Sequence, residues 1–296
     1  MKLSVVILPA ERWTRASAMW RRADEYGLHA AYTYDHLSWR SFRDRTWFSM
    51  VPTLAAAAVE TTSLRLGPLV TTPNFRHPLL LAKDLLALDD ISDGRISIGL
   101  GSGGTGFDAT VLGQPSWSSD ERHRRFEEFT RTLDQLLRES VSNLPGPFYP
   151  IVDSRQFPGP RQQPRPPIYV SALGPKTLAL AAEMADGWVS FGHPGADRSK
   201  STYDSVRAQL GLLEELLEAR GRVPGSMERV LLDFEGDERP LDSYAAFIDW
   251  AGRYNELGMS EVVVHWPIPD SEYDCDSTVF ERIATEGRAT LATWAS

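Results

Sequence analysis

Cysteine is nearly absent: the 296 residues hold one, Cys275. A lone thiol builds neither a disulfide framework nor a thiolate metal cage, and it fits a reducing compartment. Long apolar runs are missing too. Residues 3–8 are apolar apart from Ser4, but Pro9, Glu11 and Arg12 follow at once. That is too short for a secretory segment or a membrane span, so a soluble cytoplasmic protein is expected. Positive charge is in deficit: 31 Lys and Arg stand against 40 Asp and Glu, a formal net charge of −9. A general nucleic-acid binder needs a basic face, so that class is excluded. A small anion held by a few local donors is not. Metal-binding spacings are lacking as well. No H-x-H follows the first apolar run and no H-E-x-x-H occurs, so a barrel metal hydrolase has no support and no metal is expected. Asp270, Glu272, Asp274 and Asp276 imitate a calcium loop, yet Cys275 stands where glycine is required, which reads as a solvated acidic turn. Serine-hydrolase chemistry lacks its G-x-S-x-G elbow.

What the chain does have is a rhythm. Short apolar, β-branched runs at 3–8, 30–34, 64–70, 96–100, 168–171, 187–191, 229–234 and 261–265 predict strands. Helical patterns at 14–26, 49–60, 78–91, 120–138, 175–184, 201–220, 241–257 and 278–294 alternate with them. Thr278 and Glu281 have the spacing of a capping box for the last helix. Residues 139–167 break the rhythm with Pro145, Pro147, Pro150, Pro158, Pro160, Pro164, Pro166 and Pro167. That density forbids a helix and reads as a surface excursion. Eight strand–helix pairs demand a parallel sheet with helices outside, and this length fits a closed (β/α)8 TIM barrel. Residues 1–296 therefore read as one barrel domain, with the Pro-rich insertion between barrel units four and five.

Such barrels keep their chemistry at the C-terminal ends of strands. After strand two come Asp35, His36 and Trp39. A histidine there can exchange a proton near neutral pH, and the indole can wall a ligand; a buried structural hydrogen-bonding pair fits the position equally. After strand four, Gly101–Gly106 matches G-x-G-x-x-G. No helix opens on these glycines, so the loop reads instead as one that admits a flat ligand or substrate close to the backbone, through Gly101 and Gly103. After strand five come Ser171, then Gly174, Pro175, Lys176 and Thr177. Proline at the first helical position leaves free amides at the positive end of the helix dipole, which suits phosphate; an ordinary turn is the alternative. His77 precedes a helix and reads as a cap or a packing residue. His193 and His265 stand at strand ends without spaced partners.

Four stretches, taken in order, resemble the luciferase-like flavin- and deazaflavin-dependent oxidoreductases. They are Tyr34-Asp35-His36-Leu37, the segment from Leu66 through Arg76-His77-Pro78, the segment Asp89-Asp90-Ile91-Ser92-Asp93-Gly94-Arg95 through Gly103, and the unit from Ile168-Tyr169-Val170-Ser171 through Ala185-Asp186-Gly187-Trp188. The resemblance implies a TIM barrel with an inserted region. It also implies a cofactor, coenzyme F420 or FMN, at the C-terminal face. His36 would then be the proton donor or acceptor beside Asp35, and Trp39 would pack on substrate or cofactor. A non-proline cis bond would lie at Leu69–Val70, behind the ring, with Thr71 next to it. Ser171, Gly174, Pro175, Lys176 and Thr177 would receive the phosphate end.

Two departures shape the expectation. Where the deazaflavin dehydrogenases carry an acid after the strand-four glycine, this chain has Gly104, and the double histidine of many alkanal monooxygenases is absent because Leu37 follows His36. The resemblance thus implies an oxidoreductase that moves a hydride between F420 and a small organic substrate. An FMN-dependent monooxygenase and a non-catalytic flavin-binding barrel are the alternatives. A homodimer is expected, with no nucleic-acid or membrane partner.

Overall fold

The β-branched runs become short, buried parallel strands, each followed by a helix. The computed structural model describes residues 1–192, 201–223 and 225–294. In chain order the elements are β1 (Lys2–Val6), α1 (Trp13–Glu25), β2 (Ala30–Thr33), α2 (Met50–Glu60), β3 (Arg65–Pro68), α3 (Pro78–Ile91), β4 (Ile98–Leu100) and α4 (Ser119–Arg138). Then come β5 (Val141–Leu144), β6 (Ile151–Arg155), β7 (Ile168–Ser171), α5 (Pro175–Met184), β8 (Gly187–Ser190), α6 (Thr202–Glu218) and β9 (Glu228–Leu232). The chain closes with α7 (Tyr244–Leu257), β10 (Glu261–His265), α8 (Ser277–Arg282), a π-helical turn (Ile283–Gly287) and α9 (Arg288–Ala292). The strand order is β3-β2-β1-β10-β9-β8-β7-β4, that of the (β/α)8 barrel the alternation predicts.

One compact unit comprises Met1–Leu8, Met19–Tyr32 and Tyr169–Ser296. Its strands run parallel, with Lys2 beside Glu261 through Val6 beside His265, and Gly187 beside Glu228. Val5, Val6, Val230, Val262 and Val263 are fully buried. Such strands are covered on both faces, which is why they read as continuous apolar runs rather than alternating ones. The last helix differs from the expected single span with a Thr278–Glu281 capping box. Asp276 is the cap: its Oδ1 accepts from the amides of Thr278 and Val279. That places Thr278 already inside the helix. The span is also broken by the π turn, where a Cβ on Gly287 would come within 3.1 Å of the Phe247 ring.

The other unit comprises Pro9–Ala18 and Thr33–Ile168. β3 and β4 lie so close that a Cβ on Gly67 would meet the Ser97 carbonyl at 1.8 Å. Bridges join Leu66 to Ile96 and Thr71 to Leu100. Arg95 ties the turn after α3 to what precedes it: its guanidinium donates to the carbonyls of Ala58, Thr61, Leu64 and Ser92 and to the Thr61 hydroxyl. Asp89, fully buried, accepts from the amides of Arg161 and Gln162 and from the Gln162 side chain. Much of the segment from Asp89 to Arg95 therefore serves the fold. The Pro-rich excursion is more ordered than expected. β5 and β6 form an antiparallel hairpin, with Pro145, Pro147 and Pro150 confined to its connection. Proline withholds a ladder donor, so the paired segments are the proline-free ones.

Candidate active site

The chain leaves β2 through Tyr34 and Asp35. Asp35 is 1% exposed. Its Oδ2 accepts from the Thr71 hydroxyl at 2.6 Å and from Arg76 Nε at 2.9 Å, while Oδ1 accepts from Arg76 Nη2 at 2.6 Å. This is a two-pronged guanidinium–carboxylate pair. Burial opposes the Arg76 charge, but the carboxylate outweighs it and holds the guanidinium above its ordinary range. The acid that precedes His36 in sequence is thus committed to the turn after β3.

The acid at the imidazole is another residue. His36 Nδ1 meets Asp108 Oδ2, and Asp108 Oδ1 accepts from the Leu37 amide at 2.9 Å. Asp108 sits in a single 3-10 turn, Phe107–Ala109, after the glycine loop. Reading by position stopped at Gly104 and missed it. The available signal was compositional: Asp108 is the only carboxylate between Gly101 and Ser119. Trp39 lies with its ring centroid 4.4 Å from that of His36 and 5.1 Å from that of Tyr34. Trp47 Nε1 donates to the His36 carbonyl at 2.8 Å, which fixes the backbone that carries the imidazole.

The Leu69–Val70 peptide bond is cis. The Leu69 amide donates to the Thr33 carbonyl and the Thr71 amide to the Gly99 carbonyl. At Gly101 a Cβ would fall 2.5 Å from Val70 Cγ2. At Gly103, which has a positive φ of 72°, it would fall 2.5 Å from Asn74 Oδ1. The space these glycines leave is filled by Val70 and Asn74. Asn74 Nδ2 donates to the Gly104 carbonyl, while its buried Oδ1 has no hydrogen-bond partner among the described residues.

Ser171, Gly174, Pro175, Lys176 and Thr177 belong to the other unit, at the end of β7 and the start of α5. Gly174 is the N-cap in an extended conformation, and no side chain caps the helix. Five other helix starts are capped, by His77, Ser118, Ser201, Ser243 and Asp276, whereas α2, behind Ser49, is uncapped like α5. The Thr177 hydroxyl donates to the Gly174 carbonyl, and a Cβ on Gly174 would meet nothing within 4 Å. Uncapped first-turn amides with open space before them, beside an exposed Lys176, form a donor set that fits a phosphate. The F420 and FMN phosphates are of that kind.

The remaining histidines take other roles. His77 Nδ1 accepts from the Leu79 amide, so it caps α3. His265, at the end of β10, stacks on Tyr273 with centroids 4.3 Å apart. Burial pushes its imidazole down to about 3, against a hydrogen bond to the Asp233 backbone, so it is neutral at working pH. Asp233, which follows β9, is pushed up to about 7, first by burial and then by the charge of Glu238. His193 lies outside the described residues. Among the described residues no group of three or more His, Cys, Asp or Glu side chains is placed to hold a metal, and no helix is long and apolar enough to cross a membrane.

The family model for luciferase-like monooxygenases matches residues 1–262. An F420-dependent glucose-6-phosphate dehydrogenase of Kineococcus radiotolerans is 30% identical over 233 residues, which cover 78% of this chain and 66% of that protein. The chain therefore spans just under two thirds of that relative's length. The coenzyme F420-dependent tetrahydromethanopterin reductase of Methanopyrus kandleri superposes with a TM-score of 0.76 at 20% identity, covering 96% of this chain and 97% of that one. At that identity the likeness is one of fold. The monooxygenase RslO1 of Streptomyces bottropensis superposes with a TM-score of 0.65 at 26% identity, covering 87% of this chain and 78% of that one.

Proposed function

The chain belongs to the luciferase-like monooxygenase family, and from that membership we propose that it transfers a hydride between coenzyme F420 and a small organic alcohol or carbonyl compound. The observation that carries this reading is the His36–Asp108 pair. F420, when bound, supplies the acceptor or donor of the hydride. The chain's own part is the proton. With Nδ1–H donating to Asp108, the lone pair of His36 Nε2 is left as a base. A carbinol that gives up its C–H hydride gives up its O–H proton to Nε2 and becomes a carbonyl; the reverse direction returns both. Asp108 fixes the tautomer and faces the positive charge that the imidazole then carries. Asp35 has a positioning role: through Arg76 and Thr71 it holds the backbone from which His36 projects. Trp39 forms a wall beside the imidazole. Leu69, Val70 and Thr71 would meet the ring system. In the other unit, the donor set of Ser171, Gly174, Pro175, Lys176 and Thr177 suits a phosphate.

The test is a titration of purified protein with F420 and FMN in parallel, followed by absorbance and fluorescence. F420 perturbed at stoichiometric protein, and turned over with a carbinol or carbonyl panel, is the expected result. A response to FMN alone, with oxygen uptake on adding reduced FMN, would establish a monooxygenase instead, the reading that the likeness to RslO1 favours. Cofactor binding without oxidation of any substrate would leave a binding barrel. His36→Ala should lose about 10²–10⁴-fold in turnover while keeping F420 affinity.

The same reading makes the protein a single barrel domain over 1–296, soluble and cytoplasmic, acting on a small molecule without nucleic acid. It also makes it a homodimer. Val59 on α2 and Leu80 and Ile91 on α3 are exposed apolar side chains that a second copy would have to cover. Sedimentation at two concentrations tests the dimer, and a monomer at both would refute it.

A further inference from the structure

Arginines stand on the rings beside both members of the proton-handling pair. Residues 40–45 carry Arg40, Arg43 and Arg45. The Arg40 guanidinium lies 4.7 Å from the centroid of Trp39, a ring that also neighbours His36. The Arg43 guanidinium lies 4.7 Å from the centroid of Phe107, the residue before Asp108. Arg40 is also held at a positive φ of 33°, a conformation that non-glycine residues rarely adopt and that recurs at ligand sites.

Most exposed arginines of this acidic chain are spent on carboxylates. Along α4, Arg124, Arg125, Arg131 and Arg138 each pair with the acid four residues earlier. Arg43 is different. Among the described residues its guanidinium makes no ion pair and no hydrogen bond; its contact is the Phe107 ring. Stacking uses the face of a guanidinium and leaves the N–H edge in plane to donate in pairs to an oxyanion. The Phe107 ring also holds the Arg43 head beside the site, which lowers the ordering cost of catching a ligand.

We infer that Arg43 is an oxyanion-binding donor on the rim of this site, so that the substrate carries a carboxylate or a phosphate beside its reacting carbon. The inference rests on reading His36 and Asp108 as the proton-handling pair. In a protein of net charge −9, an anionic substrate needs such local donors to enter against the overall field.

The test is calorimetric titration with benzoate, phenyl phosphate and neutral benzamide, each with and without F420, so that failure of the cofactor to bind is read separately. At least one anion should bind about tenfold tighter than benzamide or more, and the preferred one tells carboxylate from phosphate. Added salt should reduce the preference. Arg43→Gln should cut anion affinity about fivefold or more and leave benzamide and F420 affinity unchanged. Arg12→Gln, at an exposed arginine that stands on neither ring, should change nothing. Equal binding of all three probes would overturn the rim, as would a full preference retained in Arg43→Gln. A fall in F420 affinity alone would assign Arg43 to the cofactor and likewise overturn it.

Discussion

Asp108→Asn is the sharpest perturbation of the proposed site. It keeps the shape of the side chain and removes its charge. Asp108 makes two contacts, one to His36 Nδ1 and one to the Leu37 amide. An asparagine that keeps the amide bond turns its NH2 toward Nδ1. The imidazole must then accept there, so the proton moves to Nε2 and the base is lost. The magnitude follows from two terms. A hydrogen bond to a charged group is worth about 1.5–3 kcal/mol. The attraction between an imidazolium and a carboxylate about 4 Å apart is about 4 kcal/mol at an effective dielectric of about 20. The two overlap, because one contact supplies both, so they bracket the loss at about 2–4 kcal/mol. The side chains of His36 and Asp108 are 21% and 8% exposed, which allows only partial screening. At about 1.4 kcal/mol per tenfold, kcat should fall about 30- to 1,000-fold. The assay is single-turnover oxidation or reduction of F420 by stopped flow, with F420 affinity and thermal midpoint as controls. A variant that retains more than about a third of the wild-type rate would remove Asp108 from the mechanism. Loss of F420 binding in step with the rate would show that the acid serves the cofactor.

Three further outcomes follow from buried groups. Arg76→Met strands the Asp35 carboxylate, and breaking a buried pair costs about 3–5 kcal/mol; urea denaturation should show this loss, with Asp35→Asn in the same chain restoring part of it. Glu261 is fully buried, and burial pushes its carboxyl from 4.5 up to about 7. The folded state therefore binds a proton that the unfolded state releases, so stability falls as pH rises from about 4.5 and the loss is complete above about 7. That loss is on the order of 3 kcal/mol, and Glu261→Gln should flatten the difference between urea midpoints at pH 5 and pH 8. Gly101→Ala puts a methyl 2.5 Å from Val70 Cγ2 and should cost about 1–3 kcal/mol in the same assay.

The βα rhythm was legible because parallel strands buried on both faces write themselves as apolar runs. Residues 78–91, 168–171, 175–184 and 261–265 fold as the elements expected there. The β5–β6 hairpin was not legible: its strands bury only some of their residues and carry no clean alternation between the prolines. The cis bond at Leu69–Val70 stands where the resemblance put it, and the rings of His36 and Trp39 lie together. Asp108 escaped because the partner of an imidazole is chosen by where a loop returns in space, 72 residues on, not by spacing. Arg76 pairs with Asp35 across 41 residues for the same reason. Gly101 and Gly103 read as room for a ligand. Sequence cannot say whether the room a glycine leaves is taken by a ligand or, as here, by Val70 and Asn74.

Arg95 carries one more consequence. Its donors are satisfied only when the end of α2, the approach to β3 and the end of α3 have all arrived. The side chain is thus a latch with three keepers, and no two of them close it. Opening any one strands guanidinium donors or carbonyls, so the stretch from Ala58 to Arg95 should breathe as one piece. Amide exchange across it should then follow a shared rate rather than a gradient from its ends.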